Sequence, residues 1–417
     1  MAKKTVADIN VSGKTVFVRV DFNVPIKGGK VTNDNRIVQA LPTIQKLIAS
    51  GAKCVLASHL GRPEGKGFEA DGSMAPVAKR LSELLGKDVQ LGPQDVAGPA
   101  ADAMIAKLPA GGVLLLENLR FSAGETMPDN AKKNPDGKLT AEQDAVLKAF
   151  VAKLAAKADA HVNDAFGTCH RKHASMYGVA KAVQAKGGPA VAGILVEKEI
   201  RYLHEAVAEP ARPFVAILGG AKVSDKIKLI SALLTKVDNI LIGGAMAYTL
   251  LAAKGVKIGK SRLEADQVET MKDLLGKAQG KILLPVDHVA TDNFESGKPQ
   301  AVAGEDIPDG LMGMDIGPKS VAAFSRVIAA AKTIVWNGPM GVFERADYAA
   351  GTRAVAEAVA KATDAGAVSV IGGGDSAAAV EEMGLADRMT HVSTGGGASL
   401  TYLEGKAMPA IEVLDEK

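Results

Sequence analysis

The stretch VFVRVDFNVPIKGGKVTNDNRIVQALPTIQKLIASGAKCVLASHLGRP, residues 16–63, holds two short apolar runs, Val16–Asp21 and Cys54–His59. They lack polar alternation, as strands buried on both faces do. Between them Asn35–Ser50 places Ile37, Leu41, Ile44 and Ile48 at the spacing of one helix face. Strand, helix, strand in that order makes a parallel unit.

The same alternation continues along the chain. Further candidate strands are Val113–Glu117, His161–Ala165, Phe214–Leu218, Ile240–Gly243, Ile282–Val286, Ile334–Asn337, Val368–Ile371 and His391–Ser393. A second helix is expected over Ser224–Val237, with Ser224 as N-cap before Ile227, Ile230 and Leu234. The fold class is therefore α/β, with two similar-sized three-layer domains built on parallel, Rossmann-like sheets. A connecting helix joins them, and they face each other across a cleft. The division follows the Gly-rich stretch Lys186-Gly-Gly-Pro-Ala-Val-Ala-Gly193. Residues 1–192 make the first domain, 193–208 the connecting helix and 209–400 the second domain. Met127–Gln143, with two prolines and a glycine, reads as a surface loop or insertion.

Composition narrows the function. Apolar residues are 47% and charged residues 23%, which excludes a disordered chain. Fifty Lys+Arg against 47 Asp+Glu leave a charge of +3, so neither a nucleic acid nor a membrane surface is expected as partner. Two cysteines exclude a disulfide framework and a Cys-based zinc cluster. The first residues lack the apolar core of a signal peptide, and no run approaches the roughly 18 apolar residues of a membrane span. A soluble cytoplasmic monomer is expected.

Ligands of open parallel sheets bind where strands end. In the first half those ends are cationic. They carry Asp21-Phe-Asn-Val-Pro25 with Arg36 at the next helix start, Ser58-His-Leu-Gly-Arg-Pro63, Glu117-Asn-Leu-Arg120 and Asn163-Asp-Ala-Phe-Gly-Thr-Cys-His-Arg171. Four arginines on one rim suit a small, multiply anionic ligand, because guanidinium forks match phosphate and carboxylate oxygens. In the second half the ends are glycine: Gly219-Gly-Ala-Lys-Val-Ser-Asp-Lys226, Gly243-Gly244, Asn337-Gly-Pro-Met-Gly341, Gly372-Gly-Gly-Asp-Ser376 and Gly395-Gly-Gly397. Such turns let backbone N–H groups approach a polyphosphate, and Lys222 and Lys226, four apart, are expected on one helix face. For a single turn, tight helix–strand packing explains the glycines equally well.

Three patterns are weaker. Gly255-Val-Lys-Ile-Gly-Lys-Ser261 is one residue short of a P-loop. Gly372–Ala377 fits a dinucleotide fingerprint, the basis of the alternative reading as an NAD-dependent dehydrogenase, but no acidic residue closes the next strand to hold a ribose. Cys169 beside His170 is a poor nucleophile pair, since sequence neighbours point different ways.

Seven motifs, in order, carry a resemblance. Arg19-Val-Asp-Phe-Asn-Val-Pro25, Ser58–Pro63, Glu117-Asn-Leu-Arg-Phe121, Asn163–Arg171, Gly219–Lys226, Val335-Trp-Asn-Gly-Pro339 and Gly372–Ser376 resemble the phosphoglycerate kinases, collinearly from Arg19 to Lys406. The resemblance implies that Asp21, Asn23, Arg36, His59, Arg62, Arg120 and Arg171 bind 3-phosphoglycerate. It implies that Lys222, Lys226, Gly313, Glu344, Gly373, Gly374, Asp375 and Ser376 bind ADP or ATP. Glu344 would hold the ribose and Asp375 the Mg2+. Arg36, Lys222, Gly373 and Gly396 would stabilise the phosphoryl group in flight. Residues from about 401 to 417 would return to the first domain. Two departures are visible: Met127–Gln143 looks long for the family, and Cys169 stands where alanine is common.

The implied reaction is reversible phosphoryl transfer from 1,3-bisphosphoglycerate to Mg-ADP, giving 3-phosphoglycerate and ATP. In reverse the nucleophile is a carboxylate of pKa about 3.5, ionised at neutral pH, so no catalytic base is required. Positioning and cationic stabilisation would supply the catalysis, with the domains closing around both ligands to exclude water.

Overall fold

The structure, a computed structural model, describes residues 2–208 and 210–417. Met1 and Glu209, the first residues of the two domains read from the sequence, lie outside the described residues. The chain forms two units, Met1–Ile200 with Ala407–Lys417, and Arg201–Lys406.

In the first unit β1 (Thr15–Val20), β2 (Lys53–Ala57), β3 (Gln90–Leu91), β4 (Val113–Leu115), β5 (Ala160–Asp164) and β6 (Ala190–Ala192) pair in parallel, in the order β3-β4-β2-β1-β5-β6. Alternate residues serve opposite cores. Val16, Val18 and Val20 pack with Cys54 and Leu56, while Phe17 packs with Val55 and Leu114. Both faces are covered, hence the unbroken apolar runs. The chain leaves β1 towards β2 and leaves its neighbour β5 towards β6, in opposite directions across the sheet, so the loops at their carboxyl ends part and open a crevice.

Helix α1 (Asn35–Ala49) buries Ile37 and Ile44 as expected, but Leu41 and Ile48 are only half-buried. Three readings are corrected. The glycine-rich stretch before position 193 contains an edge strand, β6, whose three small residues are all buried. The segment Met127–Gln143 is not a plain loop. Met127–Lys133 forms a 3-10 helix on a buried Met127, and a helix over Ala141–Ala155 begins with a Thr140–Gln143 capping box. Finally, α2 (Ile194–Ala208) is followed in the second unit by α3 (Ile227–Leu234), three residues later than expected, with Lys226 and not Ser224 at its N-cap.

The second unit has β7 (Phe214–Leu218), β8 (Asn239–Ile242), β9 (Ile282–Leu283), β10 (His288–Thr291), β11 (Gln300–Val302), β12 (Met312–Ile316), β13 (Thr333–Asn337), β14 (Val368–Gly372) and β15 (His391–Val392). Six of them form a parallel sheet in the order β9-β8-β7-β13-β14-β15. The sequence reading missed the antiparallel sheet β11-β10-β12, because its strands are short and partly exposed, without long branched runs.

Both ends of the first unit close on β6. The Val6 N–H donates to the Ala192 carbonyl at 3.0 Å, and Asp415 exchanges bonds with Ala190, its N–H donating at 2.8 Å and its Oδ2 accepting at 3.0 Å. The buried Lys3 ammonium donates to the carbonyls of Glu412 at 2.9 Å and Leu414 at 2.7 Å. Lys3→Met keeps the apolar stem and removes the charged donor, and is expected to cost about 2 kcal/mol. A lowered urea midpoint followed by circular dichroism checks this.

Candidate functional site

The loops leaving the carboxyl ends of β1, β2, β4 and β5 carry the polar groups of the first unit. Arg36, in the first turn of α1, donates Nη1 to both Asp21 oxygens at 3.1 Å, and His59 Nδ1 lies 3.9 Å from Asp21 Oδ1. Burial raises the Asp21 carboxyl, but His59, Arg36 and Arg19 outweigh it and hold the group below its ordinary 3.8. At neutral pH the two arginines are the partners that count, because burial drives His59 well below 6.5 against the pull of Asp21. Arg19 Nη2 stands 3.2 Å from His59 Nδ1, and a guanidinium only donates, so the imidazole proton is on Nε2.

A single residue, Gly61, ties three loops together. Asn23 Oδ1 accepts the Gly61 N–H at 2.8 Å, and Arg120 Nη1 donates to the Gly61 carbonyl at 2.6 Å. Gly61 has φ +63°, a left-handed conformation that suits glycine. Arg62 follows it, exposed and without a hydrogen bond or ion pair among the described residues. Arg120 Nε is buried with no partner among the described residues. Arg171 belongs to an adjoining cluster, its Nη1 donating to Asp129 Oδ2 at 3.0 Å, where His173 Nε2 also bonds at 3.0 Å.

In the second unit a pocket of 360 Å³ is lined by Gly313, Glu344 and Asp375 among the residues singled out, with Gly220, Gly244, Pro339, Phe294 and Arg262. Glu344 is exposed on its wall. Lys226 Nζ donates to Asn337 Oδ1. Burial lowers the pKa of that ammonium, with Asp225, Asp375 and Glu404 opposing. Lys222 is exposed, without a side-chain partner among the described residues. The shared helix face expected for the two lysines is corrected: both precede α3, which begins at Ile227, so the i,i+4 argument does not apply to them. Ser376 Oγ is buried and accepts the Gly338 N–H at 2.5 Å, which leaves its hydroxyl proton and its backbone N–H as donors. That N–H lies in the first turn of α4 (Gly374–Glu382) beside Gly374 and Asp375. Gly373 caps α4 at φ +93°, and Gly396 caps α5 (Gly397–Leu403) at φ +45°.

The glycines are of two kinds. A Cβ on Gly219 would lie 2.0 Å from the Pro339 carbonyl oxygen, one on Gly338 2.1 Å from that of Gly219, and one on Gly313 2.0 Å from Tyr248 Oη. Packing alone demands these. At Gly374, Gly396 and Gly397 a Cβ meets nothing within 4 Å, so the protein leaves room there. Gly255–Ser261 holds no phosphate loop: Gly259 is pressed against Leu311 and Pro308, and Ser261 Oγ accepts the Gly313 N–H at 2.9 Å. Burial pushes both thiols up to about 12, so neither is a nucleophile.

The family model for phosphoglycerate kinase matches residues 6–406. The chain belongs to the phosphoglycerate kinase family. Phosphoglycerate kinases of Leuconostoc mesenteroides and Lactobacillus gasseri are 51% and 52% identical to it, over 100% of both chains. Solved phosphoglycerate kinase structures from Coxiella burnetii and Pyrococcus horikoshii match with TM-scores of 0.84 and 0.83, at 41% and 36% identity, over 99% of this chain and 98% of theirs. The chain is therefore a phosphotransferase that uses a nucleotide and a phosphoglycerate, and the dehydrogenase reading of Gly372–Ala377 finds no support. No helix among the described residues is long and apolar enough to cross a membrane.

Several groups escaped the sequence reading. Arg19 lies fully buried inside β1, its Nε donating to Ser175 Oγ at 2.9 Å and its Nη2 4.0 Å from the buried Glu125. An arginine inside an otherwise apolar strand was a usable signal, since such a charge needs a buried partner. Nothing in the sequence singled out Glu125, Asp129, Arg262 or Phe294.

Asp129 is held down to about 2, first by its hydrogen bond to His173, then by the charges of His173 and Arg171, against the opposing effect of burial. A depressed carboxylate contributes stability above its unfolded pKa of 3.8 and loses it as pH falls towards 2. Asp129→Asn is therefore expected to be less stable than the parent at pH 6, with the gap narrowing between about pH 4 and 2. Urea unfolding of both proteins at several pH values checks this.

Proposed function

We propose that the first unit binds 3-phosphoglycerate or 1,3-bisphosphoglycerate on the rim of Asp21, Asn23, Arg36, His59, Arg62, Arg120 and Arg171. The second unit binds ADP or ATP through Lys222, Lys226, Gly313, Glu344 and Gly373–Ser376. The observation that carries this is a segregation of chemistry. Cationic side chains crowd one set of strand ends, while the other set offers a pocket walled mainly by glycine and apolar groups, with carboxylates at Glu344 and Asp375 and one cation, Arg262.

A magnesium ion fits that pocket in one way. Among the described residues no group of three or more His, Cys, Asp or Glu could cage a metal. Mg2+ commonly binds through one carboxylate together with nucleotide phosphates, and the exposed Asp375 suits that part. When bound, the ion would neutralise phosphate charge.

The chain's own residues supply the rest. The attacking group of the reverse reaction is an ionised carboxylate, so a neutral His59 need not act as base. Arg120, whose Nε has no partner among the described residues, and Arg62, likewise without one among them, have donors to spare for a substrate anion. Arg36 Nη1 holds Asp21, while its Nε and Nη2 have no partner among the described residues. Together with Lys222 and the backbone at Gly373 and Gly396 it would meet the negative charge on the transferring oxygens.

Arg36→Ala is expected to lower kcat by roughly 10³–10⁵ with a small rise in KM for 3-phosphoglycerate. Arg62→Ala should chiefly raise that KM. Steady-state kinetics of the pair decide it, and near-normal kcat in Arg36→Ala would make Arg36 a substrate contact only. Glu344→Ala should weaken ADP and ATP binding about ten- to hundred-fold, as loss of a ribose bond to a charged acceptor worth about 1.5–3 kcal/mol implies. Calorimetry should find phosphoglycerate affinity nearly unchanged; equal loss of both affinities would refute a ribose contact.

A further inference from the structure

The turn that carries Lys222 is held from outside its own element. Gly219–Lys226 links β7 to α3, with Val223 fully buried beneath it and Lys222, Ser224 and Asp225 exposed. Glu264, far along the chain, lays its carboxylate on this turn. Oε2 accepts the N–H of Val223 at 2.5 Å and of Ser224 at 3.1 Å, and Oε1 accepts the Ser224 hydroxyl at 2.5 Å. Glu264 is anchored in turn, its N–H donating to Oγ1 of the buried Thr249 at 3.2 Å. Three residues earlier, Ser261 Oγ accepts the N–H of Gly313 in the pocket wall. The segment 261–264 therefore runs from the nucleotide pocket to the Lys222 turn, with Arg262 between on the pocket lining.

The two lysines of the turn are fixed differently. Lys226 is placed by its own side chain, through Asn337. Lys222 has no side-chain partner among the described residues, so its backbone sets where its ammonium can reach. Before Lys222 the Gly220 carbonyl accepts the Met246 N–H at 3.0 Å; directly after it, at Val223 and Ser224, the backbone is held by Glu264. Its carboxylate stays ionised: burial raises its pKa, but the hydrogen bonds from Ser224 and Val223 outweigh that and lower it below 4.5.

We propose that Glu264 is a positioning residue for phosphoryl transfer, setting the Lys222 turn so that this ammonium meets the transferring group. The proposal rests on the catalytic reading of Lys222. A placement error of about 1 Å can cost on the order of 10²-fold in rate. Glu264→Ala should accordingly lower kcat by roughly ten- to hundred-fold, with KM for 3-phosphoglycerate almost unchanged. Glu264→Gln should recover much of the rate, because the amide oxygen still accepts both backbone N–H groups. In the Lys222→Met background Glu264→Ala should cost nothing further, since the group it positions is gone.

Steady-state kinetics on the full chain, with thermal melting of each variant, separate the outcomes. Parental kcat in Glu264→Ala, or a full additional loss in the double variant, overturns the positioning role while leaving Lys222 as read. Near-parental kcat in Lys222→Met overturns the catalytic reading and with it this proposal. If Glu264→Ala does not fold, Glu264→Asp keeps the charge, shortens the reach and must still lower kcat. Parental turnover in that variant overturns the role equally.

Discussion

A strand covered by packed layers on both faces has little place for a polar side chain except where it ends. β1 and β7, each with neighbours on both sides in a parallel sheet, impose that rule on the two units. Polar chemistry is driven to the loops, and because the strands run parallel those loops gather on one rim per sheet. The crowding of Asp21, Asn23, His59 and Arg120 follows from that geometry before any ligand is considered. Arg19 breaks the rule, and the structure answers it with Glu125, Ser175 and His59. The exception lies directly beneath the rim.

How far the sequence spoke depended on whether a feature was local. The strands of the two parallel sheets announce themselves in Val, Ile and Leu runs, so most were found to within a few residues. β3, β6 and β10–β12 were lost because short strands of small or half-exposed residues look like loop. The helix at Ala141 was lost although Thr140-Ala-Glu-Gln143 carries its capping signal. The loops bearing Asp21, His59 and Arg120 were legible because each motif is contiguous. Asp129 was not, since its partners Arg171 and His173 lie more than forty residues away. Ser224 shows the same limit: read as a local cap, it spends its hydroxyl on Glu264.

Glycine is the residue whose purpose sequence hides most completely. Gly219 and Gly338 are jammed against neighbouring backbone, whereas Gly374 and Gly397 border empty space. In sequence all four are glycines at strand-to-helix turns. The first pair brings β7 and β13 loops into contact, and at the second no side chain among the described residues caps the helix N-terminus. Both are needed: close packing sets the floor of the site, and open glycine leaves its entrance clear.

The closure of β6 by segments from both ends of the chain carries a consequence for biosynthesis. Ala190 and Ala192 bond to residues near the start, at Lys4 and Val6, and to Asp415 near the finish. Everything in between, Arg201–Lys406, forms the other unit. On the ribosome the contiguous unit has all its residues before the split one does. At about 5–20 residues per second, the roughly 200 intervening residues impose a delay of about 10–40 s, during which the nascent sheet edge lacks its last partner. An unpaired edge is a template for wrong pairing. The interval therefore makes this edge a natural target for chaperone protection, and the arrival of the final residues the event that ends the need for it.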